Sequence, residues 1–139
     1  MTHQATIDGI DRIERDHRRL GRLIDKLQAA LSKGANADEI ALQRCALTEY
    51  LESHMAFEEA LMAERCYPLT FTHTEQHQAF RDQVASILAG IDSGTVTPGN
   101  VGKLLKKIHT YHTRYFDETL CHYLMDKYAL QSVAEGAGI

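Results

Sequence analysis

The stretch "IDGIDRIERDHRRLGRLIDKLQAALS", residues 7–32, sets Ile10, Ile13, His17, Leu20, Ile24, Leu27 and Leu31 at steps of three and four. That period is helical, and its apolar stripe must be buried against something. One member of the stripe is a histidine, and ligand-type side chains intrude in the same way on the segments that follow. A second helix is expected from about Asp38 to Cys66, facing inward with Ile40, Cys45 or Leu47, Leu51, His54, Glu58 and Leu61, and closed by Pro68. A third opens near "TFTHTEQH", where Thr72 and Glu75 have capping-box spacing, and runs inward through His77, Phe80, Val84 and Ile87. Gly34 is a suitable stop for the first helix, and Thr97 followed by Pro98 a suitable start for the fourth. No segment alternates as a strand would. An all-α fold follows: four helices with short connections, in an up-down-up-down antiparallel bundle.

A length of 139 residues with 44% hydrophobic side chains suits one domain, residues 1–139, with a core over about 7–133. The ending "SVAEGAGI" reads as a frayed tail or the start of a linker to a downstream signalling domain. The net charge of −4, with basic residues dispersed, gives no reason to expect nucleic acid or anionic lipid as partner. No apolar run reaches the roughly 20 residues that span a membrane. "MTHQATIDGI" lacks the layout of a signal peptide. Cys45, Cys66 and Cys121 are widely spaced and odd in number, as expected of reduced thiols in a cytoplasmic protein.

The eight histidines are the unusual part. His54 and Glu58 are four apart and share a helix face, and His73 and His77 repeat that geometry. His17 lies on the first stripe, and His112 and Asp117 lie on the fourth helix. One buried histidine is ordinary. Five imidazoles and two carboxylates in one core are costly unless something compensates them. Mixed imidazole and carboxylate ligands suit iron, zinc or manganese, and seven exceed what a single tetrahedral zinc uses. Two metals bridged by the carboxylates use the set better. His112 and Asp117 are five apart, about 140° around an ideal helix, so a π-type widening or bend is needed to bring them together.

The whole pattern resembles the hemerythrin family, in its single-domain bacterial form. His17 in "RDHRRL", His54 and Glu58 in "HMAFEE", His73 and His77 in "HTEQH", and His112 and Asp117 in "HTRYFD" fill every position of the family motif in order, and "YP" at 67–68 fits as well. The resemblance implies a diiron site in the bundle core: two non-haem iron ions with an oxo or hydroxo bridge. His73, His77 and His112 would bind one iron and His17 and His54 the other, with Glu58 and Asp117 bridging. It further implies that dioxygen or small anions bind at the iron with the open position, dioxygen as a hydroperoxide. The function implied is oxygen storage, delivery or sensing. The alternative is a diiron redox enzyme or redox sensor, acting on peroxide, nitric oxide or ferrous iron and autoxidising rapidly. No general acid or nucleophile stands out beyond the ligands, which favours binding over catalysis. A bridging aspartate on a helix that continues through "ETLCHYLMDKYALQSV" is expected to transmit the iron redox state.

Two departures from the family bear on access to the iron. Bacterial members often carry tryptophan near the N-terminus and shortly before the fourth-helix histidine, whereas this chain has no tryptophan and Ile108 sits four before His112. Gly21, four after His17, stands where a bulky aliphatic is usual, and it either opens a pocket towards the iron or permits close helix packing. His109 and His122 match no motif position, His3 is expected in a mobile terminus, and Glu59 is expected to face away. Tyr111 and Tyr115 are read as packing residues, and Met55 and Met62 as core filler.

Overall fold

The computed structural model describes residues 3–137, the last seven by their backbone alone. The chain forms α1 (His3–Ser32), α2 (Ala37–Glu64) and α3 (Thr70–Ser93), then a 3₁₀ turn at Pro98–Asn100. α4 (Val101–His112), a π-helical turn (Thr113–Asp117) and α5 (Glu118–Ala137) follow. Backbone angles stay helical from His112 through Glu118, so α4, the π turn and α5 make one rod, the fourth of the expected bundle. Among the described residues there is no strand.

The helix boundaries follow from local chemistry. Gly34 adopts φ +68, and Ala35 N–H returns to Ala30 O at 3.0 Å, which closes α1 as expected. Asn36 caps α2 by accepting Glu39 N–H at 2.9 Å. α2 stops two residues short of Cys66, because Cys66 takes a left-handed φ of 51 and turns the chain before Pro68. The capping box expected at Thr72 does not form. α3 already begins at Thr70, whose hydroxyl donates to Tyr67 O at 2.6 Å, and His73 N–H bonds Leu69 O at 2.9 Å. Thr97 makes no side-chain cap either. Gln28 of α1 does that work, accepting Gly102 N–H at 2.7 Å and donating to Pro98 O at 3.1 Å. A Cβ at Gly102 would stand 3.0 Å from the Gln28 side chain, so a larger residue there would press on this tie. At the other end the helix continues to Ala137, where a frayed tail was expected from about 133, and residues 138–139 lie outside those described.

The core is split in two. One apolar cluster joins Leu20, Leu23, Ile24, Leu27, Leu47, Leu51, Met55, Phe80, Val84, Leu88, Val101 and Leu105. The other joins Ile10, Ile13, Leu61, Met62, Tyr67, Leu120 and Leu124. Most of the candidate ligands fall between the two in sequence: His17 between Ile13 and Leu20, Glu58 between Met55 and Leu61, His73 and His77 between Tyr67 and Phe80, and His112 and Asp117 between Leu105 and Leu120, while His54 lies just ahead of Met55. The bundle therefore carries a polar belt between two dry ends. Met55 and Met62 are core filler, as expected.

Candidate metal centre

The belt is assembled by helix geometry. His54 and Glu58 stack one turn apart on α2, and His73 and His77 on α3. The π turn adds the residue that α-helical spacing lacks, and His112 Nε2 comes within 3.0 Å of Asp117 Oδ1. The widening expected from the five-residue spacing is present, and it is confined to the segment that carries the aspartate.

Five Nε2 atoms converge on two carboxylates. Asp117 Oδ2 lies 2.6 Å from His17 Nε2 and 3.4 Å from His54 Nε2. Asp117 Oδ1 lies 3.0 Å from both His73 Nε2 and His112 Nε2. Glu58 Oε1 lies 2.8 Å from His54 Nε2 and 3.4 Å from His77 Nε2, and its Oε2 is 3.8 Å from His73 Nε2. All seven residues predicted from sequence are brought together. They form two groups with donor atoms within 4.8 Å of one another: Glu58, His73, His77, His112 and Asp117, and His17, His54 and Asp117. Asp117 belongs to both.

Two further carboxylates hold the rings from behind, and the sequence reading missed them. Asp16 Oδ2 lies 3.1 Å from His54 Nδ1, while Asp16 Oδ1 accepts the Tyr50 hydroxyl at 2.9 Å and Arg12 stands 3.7 Å away. Glu59, expected to face away, instead places Oε2 2.9 Å from His77 Nδ1, with Arg81 at 3.6 Å. One residue beyond Glu58 is a rotation of about 100°, and that turn carries Glu59 towards His77 on α3 while leaving its side chain 31% exposed. Asp16 could have been found. It sits three after Ile13 and four before Leu20, on the apolar stripe itself, and is 3% exposed. Such partners fix the tautomer and orientation of a ligating imidazole.

The protein alone satisfies this cluster poorly. Both Glu58 oxygens, His77 Nε2 and His112 Nε2 are buried with no aligned hydrogen-bond partner, although oppositely charged atoms stand close by. Burial, then the neighbouring Asp117 charge, pushes Glu58 well above the usual carboxylate range. Burial opposes ionisation of Asp117 as well, but the imidazoles of His112, His17, His54 and His73 gathered around it outweigh that and hold Asp117 well below its ordinary value. Burial would lower His54, yet Asp117, Asp16 and Glu58 together raise it to about 12. His77, buried beside His73 and His112, falls to about 2. A divalent cation would meet all of these conditions at once, since converging nitrogens and acidic oxygens with idle lone pairs are what it ligates.

The remaining candidates lie outside the cluster. Gly21 does not mediate close packing, because no heavy atom falls within 4 Å of a Cβ built there, and space is open at that point. His122 is exposed. His3 starts α1, its ring 4.7 Å from that of Tyr128. Tyr111 and Tyr115 are exposed and pack on each other at 4.9 Å. His109 stands against His17, ring centroids 5.7 Å apart, and burial followed by the His17 charge lowers it to about 4. The three cysteines are free thiols. No helix among the described residues is long and apolar enough to cross a membrane.

Comparison with known proteins agrees with this geometry. The profile described as "Hemerythrin HHE cation binding domain" matches residues 8–118. A protein named bacteriohemerythrin from Stenotrophomonas maltophilia (strain R551-3) is 29% identical over 126 residues, covering 82% of this chain and 77% of its own. Bacteriohemerythrins from Pseudomonas aeruginosa (strain LESB58) and Pseudomonas paraeruginosa (strain DSM 24068 / PA7) are each 29% identical over 109 residues, 78% of this chain and 71% of theirs. No solved structure matches significantly. The chain belongs to the hemerythrin family, whose proteins are of the non-haem-iron, oxygen-binding type.

Proposed function

We propose that the belt holds two iron ions and that the protein binds dioxygen reversibly at one of them. His73, His77 and His112 would ligate one iron and His17 and His54 the other, with Glu58 and Asp117 shared and a solvent-derived oxo or hydroxo bridge between the metals. The observation that carries this reading is the unequal pair of donor groups meeting at Asp117. The larger group has enough donors to fill most positions around an ion, and the smaller leaves room for an outside ligand. When bound, such a pair supplies two reducing electrons and an open coordination position to a small oxidant.

The chain does the rest. The two apolar clusters keep bulk water from the belt along the bundle axis, which slows the escape of charged products. Asp16 and Glu59 hold the rings of His54 and His77 so that Nε2 faces inward. Asp117, placed by the π turn, ties the site to α5, and a change of redox state would be felt there first. This supports sensing over simple storage.

A second reading, a redox sensor or enzyme that passes quickly to the diferric form, is favoured by the space at Gly21 and the partial exposure of His17. Optical spectra of the ferrous-loaded protein, cycled between dioxygen and argon, separate the two. Charge-transfer bands that come under dioxygen and fade under argon support reversible binding. Direct, irreversible conversion to the diferric spectrum supports the second reading.

A further inference from the structure

Two polar atoms beside the smaller donor group have no partner. His109 Nε2 and Thr113 Oγ1 are both buried and unbonded, although neither residue belongs to a converging group. They lie four apart, at the end of α4 and the start of the π turn, so they share one side of the rod. Both line an outer groove of about 190 Å³ with His17, Thr110, Arg114 and Glu118. His109 also lines a small inner cavity whose other walls are apolar, Leu20, Ile24, Phe80 and Leu105 among them. Its ring stands edge-on to His17 at 76°.

Leaving a buried donor or acceptor unpaired costs about 1–3 kcal/mol. Leucine at 109 and valine at 113 would fill the same space without that cost. Arg114 and Glu118 carry opposite charges, so the groove itself offers no net attraction. What it offers is two unpartnered polar groups, each able to donate, spaced one helical turn apart next to the ligand histidine that is itself 16% exposed.

We infer that His109 and Thr113 form a hydrogen-bonding receptor for a small anion occupying the open position on the His17–His54 side. The inference rests on the two-iron reading above. It assigns both residues a positioning role towards the outside ligand and not towards the metal. The anion the two residues fit is compact, with an acceptor atom left free when its other end is at the metal.

The test is azide titration of the diferric protein, read from the charge-transfer band, alongside iron analysis. His109→Leu is expected to raise the azide Kd about tenfold and Thr113→Val several-fold, the size of one lost hydrogen bond each. His109→Gln and Thr113→Ser restore donors and should stay within about threefold of wild type. All four variants should keep two irons, which separates this role from ligation or folding. Unchanged azide affinity in both His109→Leu and Thr113→Val overturns the inference, as does loss of iron in either. A wild-type protein that binds two irons but no azide overturns it while leaving the two-iron reading intact. A wild-type protein that binds no iron fails at the earlier step, and the inference falls with that reading.

Discussion

On the His73–His77–His112 side of the belt the three side chains are at most 6% exposed, and Phe116 stacks on His112 at 5.5 Å while Phe80 meets it edge-on at 5.2 Å. On the other side His17 is 16% exposed and borders a groove, and Gly21 leaves a gap one turn further along α1. The same residue types thus serve two ends. Where imidazoles outnumber the space left for solvent, the site is a holder. Where one imidazole meets a groove, the site can exchange ligands. The single turn of π-helix makes the contrast workable, because it delivers one aspartate to both sides.

The sharpest way to break the comparison is to remove what the sides share. Asp117→Ala should abolish binding of both irons, whereas His17→Leu should leave one, measured as iron per folded chain after anaerobic loading. If Asp117→Ala keeps a full complement, the sides are independent and the shared bridge is wrong.

Next in size is the effect of pH on loading. In the metal-free chain His54 sits at about 12, so it carries a proton at neutral pH that a metal must displace, and Glu58 is shifted upward from its usual range in the same sense. Iron uptake should therefore release protons into weak buffer, and apparent affinity should climb as pH rises. Affinity that falls over the same span would contradict the proton placement.

The carboxylates behind the rings sharpen the contrast further. Asp16→Asn should weaken the more loosely held iron, and Glu59→Gln the other, each by roughly tenfold to a hundredfold. Stepwise titrations would show whether the two losses fall on different binding steps. Gly21→Leu should act only on the open side, slowing decay of the oxygenated spectrum several-fold with iron content unchanged, and Gly21→Ala should stabilise the metal-free fold by up to about 1 kcal/mol. The smallest expected effect is in α5, where amide exchange over residues 121–130 should differ between diferrous and diferric protein.

The sequence shows the belt more clearly than it shows what supports it. His17, His54, Glu58 and His77 are legible as ligand side chains on apolar stripes, His73 and His112 by their spacing within the motif, and Asp117 only through the family pattern, because its five-residue step from His112 leaves that face unless the helix widens. Helix starts were less legible. Thr72 and Thr97 had the right chemistry for caps, but Thr70 and Gln28 reached the backbone first, and Gln28 does so from 74 residues away from Gly102. Glu59 is hard to place from spacing alone, because its side chain stays partly exposed and reaches the site only through His77 of the neighbouring helix. Asp16 stood on a stripe in plain sight, masked by the histidine beside it. The role of Gly21 needed coordinates, since a missing side chain marks equally well a tight contact or a gap.

The most direct measurement of the central claim is an anaerobic ferrous titration of metal-free wild-type protein with the bound iron counted at saturation. Two irons per chain, falling to none in Asp117→Ala, is the expected result. Saturation at one iron, or two irons retained without Asp117, would contradict a paired site built around that aspartate.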